Sequence, residues 1–95
     1  MLLLDKGEGE LRFGPDRYPL KPMDVVACPT GGAEVAHQIV NTGPATLRYL
    51  AVSTLAPVEV CAYPDSGKIG VYADTGGRHI FHASDSADYY DGEPP

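Results

Sequence analysis

Glycine and proline break up this chain so often that long helices are ruled out before any other feature is weighed. Eleven Gly and nine Pro are spread over 95 residues, and a breaker arrives roughly every eight to twelve positions. An amphipathic helix needs apolar residues at i, i+3, i+4 and i+7 across about a dozen uninterrupted positions. No segment offers that. The apolar runs between breakers are short and rich in Val, Ile and Tyr, the residue types that fit a pleated, half-buried surface. The chain therefore reads as all-β, built of short antiparallel strands joined by tight turns.

The runs place strands at residues 2–4, 10–13, 18–20, 25–28, 35–40, 47–53, 58–63, 69–72 and 79–82. Glu10-Leu11-Arg12-Phe13 alternates, so Leu11 and Phe13 share one face while Glu10 and Arg12 share the other, which either faces water, the favoured reading, or reaches the cavity. Pro19 removes a ladder donor and marks its strand as an edge. Gly14-Pro15-Asp16 and Asn41-Thr42-Gly43-Pro44 are turns, and the Asn41 side chain is suited to bonding its own turn backbone. From Asp74 onward the chain is polar and rich in Asp and Gly, with only residues 79–82 strand-like.

Composition excludes several functions. Net charge is −6 and the seven Lys and Arg residues are scattered, so no basic patch exists to neutralise nucleic-acid phosphates. The same acidity disfavours an anionic membrane surface. The opening Met-Leu-Leu-Leu-Asp is too short for a signal peptide or a membrane span, and residence in the cytoplasm is the default expectation. Cys28 and Cys61 match no metal or redox spacing and are read as two reduced, half-buried thiols. A domain of this size buries only roughly 60–65% of its unfolded surface, and self-association is one common source of further stability.

Two stretches carry a resemblance. GEGELRFG (residues 7–14) and LKPMDVVACPTGGAEVAHQIVNTG (residues 20–43) resemble the second half of a cupin domain. A Gly-x-Gly hairpin precedes a Gly-Asp turn, followed by proline, glycine, histidine and asparagine in order. Here these are Gly7 and Gly9, then Met23-Asp24 with Met in place of Gly, then Pro29, Gly31, His37 and Asn41. With LRYLAVST, YPDSGKIGV and the closing ADYYDGE, the chain looks like a subgroup of single-domain bacterial cupins. The likeness runs from about residue 2 to residue 71. It implies a cupin-type jelly-roll β-barrel or sandwich, with residues 1–73 as the barrel's second-motif half. Residues 74–95 would be a polar extension, packed on the barrel or partly mobile.

The resemblance also implies a divalent metal (Fe, Mn, Zn or Ni), with His37 in the ligand position. On a strand over residues 35–40, His37 shares its face with Val35, Ile39 and Asn41 and would project into a mostly apolar cavity. Tyr49 and Tyr63 are candidates for its walls. The family's first motif, His-x-His followed by Glu, has no counterpart here, so His37 stands as a lone ligand and the barrel reads as N-terminally truncated. His79 and His82 are three apart on an extended segment and point to opposite sides.

Two glycine patterns carry no nucleotide chemistry. In GEGELRFG the third glycine position holds Arg12, and in SGKIG the residue after Lys68 is Ile69 rather than Ser or Thr. Three functional readings follow. The first is a small-molecule-binding or non-catalytic cupin with a degenerate metal site. The second is a metal-dependent oxygenase or isomerase whose other ligands lie outside these residues. The third is an assembly or regulatory module acting through an open sheet edge. A homodimer is expected through pairing or swapping of the apolar N-terminal strand, Leu2-Leu3-Leu4.

Overall fold

The computed structural model describes residues 1–95 and is all-β. Nine strands form three separate three-stranded antiparallel sheets, and none closes into a barrel. The chain divides into two compact units, Met1–Leu55 and Ala56–Pro95.

The first unit contains β1 (Leu2–Lys6), β2 (Gly9–Phe13), β3 (Asp16–Leu20), β4 (Val25–Val26), β5 (His37–Asn41) and β6 (Arg48–Ala51). One sheet has the order β4-β1-β6 and the other β3-β2-β5. The alternation in β2 sets the second sheet's orientation. Leu11 lies between Tyr18 and Ile39 and is buried with Leu4 and Leu20, while Phe13, Val26, Ile39 and Leu47 pack around this cluster. Glu10 and Arg12 face outward, as their alternation predicts: Arg17 Nη1 lies 2.8 Å from Glu10 Oε1, and Arg12 Nη1 donates to Gln38 Oε1 at 3.3 Å. Pro19 does sit on an edge strand, β3.

The Gly7-x-Gly9 turn has a steric reason. Gly7 adopts φ 93°, and a Cβ on Gly9 would lie 2.8 Å from the Val40 backbone carbonyl oxygen and 2.3 Å from a Leu47 methyl. The neighbouring backbone leaves no room for a side chain at position 9. Asn41 closes its turn as expected, with Nδ2 donating to the Ala45 carbonyl and Oδ1 accepting from Gly43 N–H, both at 3.0 Å.

Two expectations need correction. Residue 35 is not in a strand: Ala33–Val35 form a 3-10 turn and β5 begins at His37. The Glu34 carboxylate accepts from Gly32 N–H at 3.1 Å and Val35 N–H returns to the Gly32 carbonyl at 3.2 Å, which coils the segment before it can extend. The N-terminal run is not an open edge either. β1 is the middle strand of its sheet, with Leu2 opposite both Val26 and Ala51, so its backbone groups already have partners on both sides.

The second unit is one meander: β7 (Val58–Tyr63), β8 (Lys68–Ala73) and β9 (Gly77–His82), with β8 central. The strand expected at residues 79–82 is thus the end of β9. Unbroken register sorts the side chains by face. Glu59, Cys61 and Tyr63 lie with Lys68, Gly70 and Tyr72 and with Arg78, Ile80 and His82. Val58, Val60, Ile69, Val71, His79 and Phe81 occupy the other face, where the remaining positions are Ala or Gly. Beyond a 3-10 turn at Ala83–Asp85, Tyr89 and Tyr90 are exposed and meet edge to face at 5.0 Å.

Met23 is the one non-glycine residue with positive φ, 75°. It closes the Lys21-Pro22-Met23-Asp24 turn, where Asp24 N–H donates to the Lys21 carbonyl at 3.1 Å and Met23 N–H to the Leu4 carbonyl at 2.8 Å. Its side chain is 78% exposed, so no packing offsets the left-handed backbone, which costs roughly 1–2 kcal/mol for a residue with a Cβ. Met23→Gly is therefore expected to stabilise the protein by about 1 kcal/mol, raising Tm by about 4–8 °C in a thermal melt. A fall in Tm would contradict the strain.

Candidate functional site

β1 and β6 form a concavity beside one of the proposed wall residues, Tyr49. A register shift between Leu4 and Lys6 bulges β1 at Asp5, and the Asp5 carboxylate meets the Arg48 guanidinium, with Arg48 Nε donating to Oδ2 at 2.6 Å. Beside this pair lies a shallow depression of about 360 Å³ lined by Leu3, Asp5, Arg48, Tyr49 and Leu50. Leu3 and Leu50 are register partners and Tyr49 pairs with Leu4. The depression thus joins an aliphatic floor to a guanidinium, while the Tyr49 side chain, paired with Leu4, leaves from the other face of the sheet. Both charged groups are largely exposed, so their pairing adds little stability. Its consequence is positional: Arg48 is held at the rim.

His37 is not at this depression. It starts β5 opposite Phe13, on the same side of the sheet as Leu11, but at the sheet's end and exposed. The enclosed imidazole expected from a strand over residues 35–40 does not form, because the 3-10 turn removes Val35 from its face. The metal that the cupin likeness implies requires three or four donors at fixed geometry. No group of three or more His, Cys, Asp and Glu side chains comes together within residues 1–95. The residues of this chain do not fit such an ion, and no step is derived through one.

Tyr63 belongs to the second unit and meets a partner that sequence reading missed. Its hydroxyl lies 2.5 Å from that of Tyr72, and the two rings close over Gly70, where an added Cβ would stand 2.9 Å from Tyr72 and 3.2 Å from Tyr63. The signal was present in the hairpin: the turn at residues 64–67 sets Tyr63 opposite Lys68, which puts Gly70 and Tyr72 along the same face. Lys68 Nζ stands 5.7 Å from the centre of the Tyr63 ring. Both cysteines are free. Desolvation, and then the charge of Glu59, push the Cys61 thiol up from its ordinary value, so at neutral pH it is a thiol and a weak nucleophile.

His37, Tyr49 and Tyr63 therefore do not converge on a single site. Tyr49 alone of the three lines the depression, together with Asp5 and Arg48, which stand 43 residues apart in the chain. Searches against family models, curated proteins and solved structures find no match to this chain. No helix is long and apolar enough to cross a membrane.

The tyrosine pair makes a pH prediction. The hydrogen bond with Tyr72, followed by desolvation, raises the Tyr63 pKa above the usual tyrosine value near 10. A phenol whose folded pKa is raised contributes stability below the unfolded value, and that contribution is lost as pH rises through the folded one. Ultraviolet titration should show one of the six tyrosines ionising later than the rest, and Tyr72→Phe should abolish that late phase. An unchanged titration in Tyr72→Phe would show the pair is not formed.

Proposed function

We propose that this chain is a cupin-type, jelly-roll-derived β-module that binds a small organic molecule non-catalytically and without a resident metal. The observation that carries this reading is the depression at Leu3, Asp5, Arg48, Tyr49 and Leu50. It offers an apolar floor and a guanidinium, while no group of three or more His, Cys, Asp and Glu side chains gathers around the histidine in the family's ligand position. Local geometry supports the family likeness. Met23 occupies the place where the pattern carries glycine, and its φ of 75° is a conformation that glycine adopts freely. The Gly7-x-Gly9 turn and the Asn41 turn are likewise built as the pattern requires.

The ligand class follows from the lining. An apolar body would lie against Leu3 and Leu50, and a carboxylate would meet Arg48. Because Asp5 already engages Arg48, an anionic ligand competes with it, and binding of small probes is expected to be weak.

Benzoate, a ring bearing one carboxylate, is a suitable probe. In NMR titrations its shifts should centre on Leu3, Tyr49 and Leu50, with Kd of about 1 mM, or roughly −4 kcal/mol. Arg48→Ala should weaken binding about tenfold, whereas His37→Ala should leave both binding and thermal stability unchanged. Elemental analysis of the purified protein should find iron, manganese, zinc and nickel well below one per chain. Near-stoichiometric metal that disappears in His37→Ala would overturn the reading.

A further inference from the structure

We propose that Tyr63 and Tyr72 form a site of oxidative cross-linking, where a diffusible one-electron oxidant joins the two rings and so staples β7 to β8. Two contacts define the geometry. The hydroxyls lie 2.5 Å apart. A Cβ built on Gly70 would stand 2.9 Å from Tyr72 Cε2 and 3.2 Å from Tyr63 Cε2, so these two carbons crowd around one point. Each Cε2 is ortho to its hydroxyl, and ortho carbons are where oxidised phenols couple. The glycine leaves that point open for the rings to close together.

The step balances with two equivalents of oxidant. Each phenol gives one electron to the oxidant and one proton to water, leaving two phenoxyl radicals. A carbon–carbon bond forms between the two Cε2 atoms, and the proton lost from each of these ring carbons restores a hydroxyl. The product keeps both hydroxyls and lacks two hydrogen atoms. Because the two rings are held side by side, the coupling is effectively unimolecular. A small oxidant has access, since Tyr63 is 36% exposed and Tyr72 half-buried. The chain contains no Trp to compete for it.

The second unit is where a staple has most effect. Its one buried residue is Gly70, and both cysteines of the chain are free, so neither a core nor a disulfide secures its hairpin. Small scaffolds commonly rely on a covalent link for this purpose. A bond between residues 63 and 72 closes a loop and removes conformations from the opened state. Exposure alone would select another pair: Tyr89 is 85% exposed and Tyr90 76%. Those two rings, however, meet edge to face. Geometry and exposure thus make opposite predictions. The site shares no residue with the depression at Arg48, and the proposal does not depend on ligand binding there.

The test is steady-state radiolysis of the full chain in dilute azide solution saturated with nitrous oxide, where azidyl radicals take one electron from tyrosine and become azide. Cys61 lies on the same face as Tyr63, and its thiol returns a phenoxyl to the phenol by giving up a hydrogen atom, so Cys61→Ser is irradiated in parallel. Dityrosine fluorescence should appear. After trypsin, the peptides on either side of Lys68 should stay joined, lighter by two hydrogen atoms than the separate pair, with fragmentation placing the bond at Tyr63 and Tyr72. Tyr63→Phe and Tyr72→Phe should each abolish that product. The cross-linked chain should exchange its β8 amides about tenfold more slowly than the untreated one. Should a variant lose its fold, the product mapped in the wild type still decides. Cross-links confined to Tyr89 or Tyr90, bonds only between separate chains, no dityrosine in either the wild type or Cys61→Ser, or a Tyr63–Tyr72 bond that leaves β8 exchange unchanged would each overturn the proposal.

Discussion

The contact among Leu4, Leu11 and Leu20 holds the first unit together. These three side chains come from β1, β2 and β3, and they are the buried hydrophobic core of the chain. Leu4 belongs to one sheet and Leu11 and Leu20 to the other, so this cluster is where the two sheets bury apolar surface against each other. Burying a leucine side chain is worth about 1.5–3 kcal/mol. Phe13, Val26, Ile39 and Leu47 add partial burial around it. The backbone features of the unit serve this contact. Gly9 lies against the Val40 carbonyl and the Leu47 side chain, the left-handed Met23 turns the chain from β3 toward β4, and through that turn Leu4 N–H donates to the Asp24 carbonyl while the Leu4 carbonyl accepts from Met23 N–H.

The second unit is stabilised differently. Its three strands are tied by a continuous antiparallel ladder without a bulge, and its only buried residue is Gly70, beneath two tyrosine rings. Order here comes from hydrogen bonds and from cross-strand pairs, each worth a fraction of a kcal/mol. A three-stranded sheet generally needs an apolar face packed against something to be stable alone. The Val60 face carries no Asp, Glu, Lys or Arg, and on the tyrosine face the Tyr63 and Tyr72 hydroxyls bond each other.

Much of this was legible in the sequence because turn chemistry acts locally. Glycine and proline spacing located all nine strands, the alternation of Glu10 to Phe13 assigned both faces of β2, Pro19 marked an edge, and Asn41 announced its own turn. What escaped depended on contacts distant in sequence or on competition between local structures. Apolar periodicity over residues 35–40 could not reveal that Glu34 would bond Gly32 and coil Val35 out of the strand, which left His37 exposed. An apolar Leu2-Leu3-Leu4 looks the same in an edge strand as in a central one. Only the pairing with Val25–Val26 and Arg48–Ala51 distinguishes them. The Asp5–Arg48 pair spans 43 residues and has no local signature. The Tyr63–Tyr72 contact was within reach, since hairpin register alone brings the two residues to one face.

Native-state hydrogen exchange tests most directly whether the leucine cluster joins the two sheets of the first unit into one cooperative body. The account predicts that the most protected amides of the central strands β1 and β2 open together, with the same free energy, and that Leu11→Ala lowers both by a common 2–5 kcal/mol. If β1 and β2 instead exchange with separate free energies, and Leu11→Ala affects β2 alone, the sheets fold independently and the cluster does not unite them.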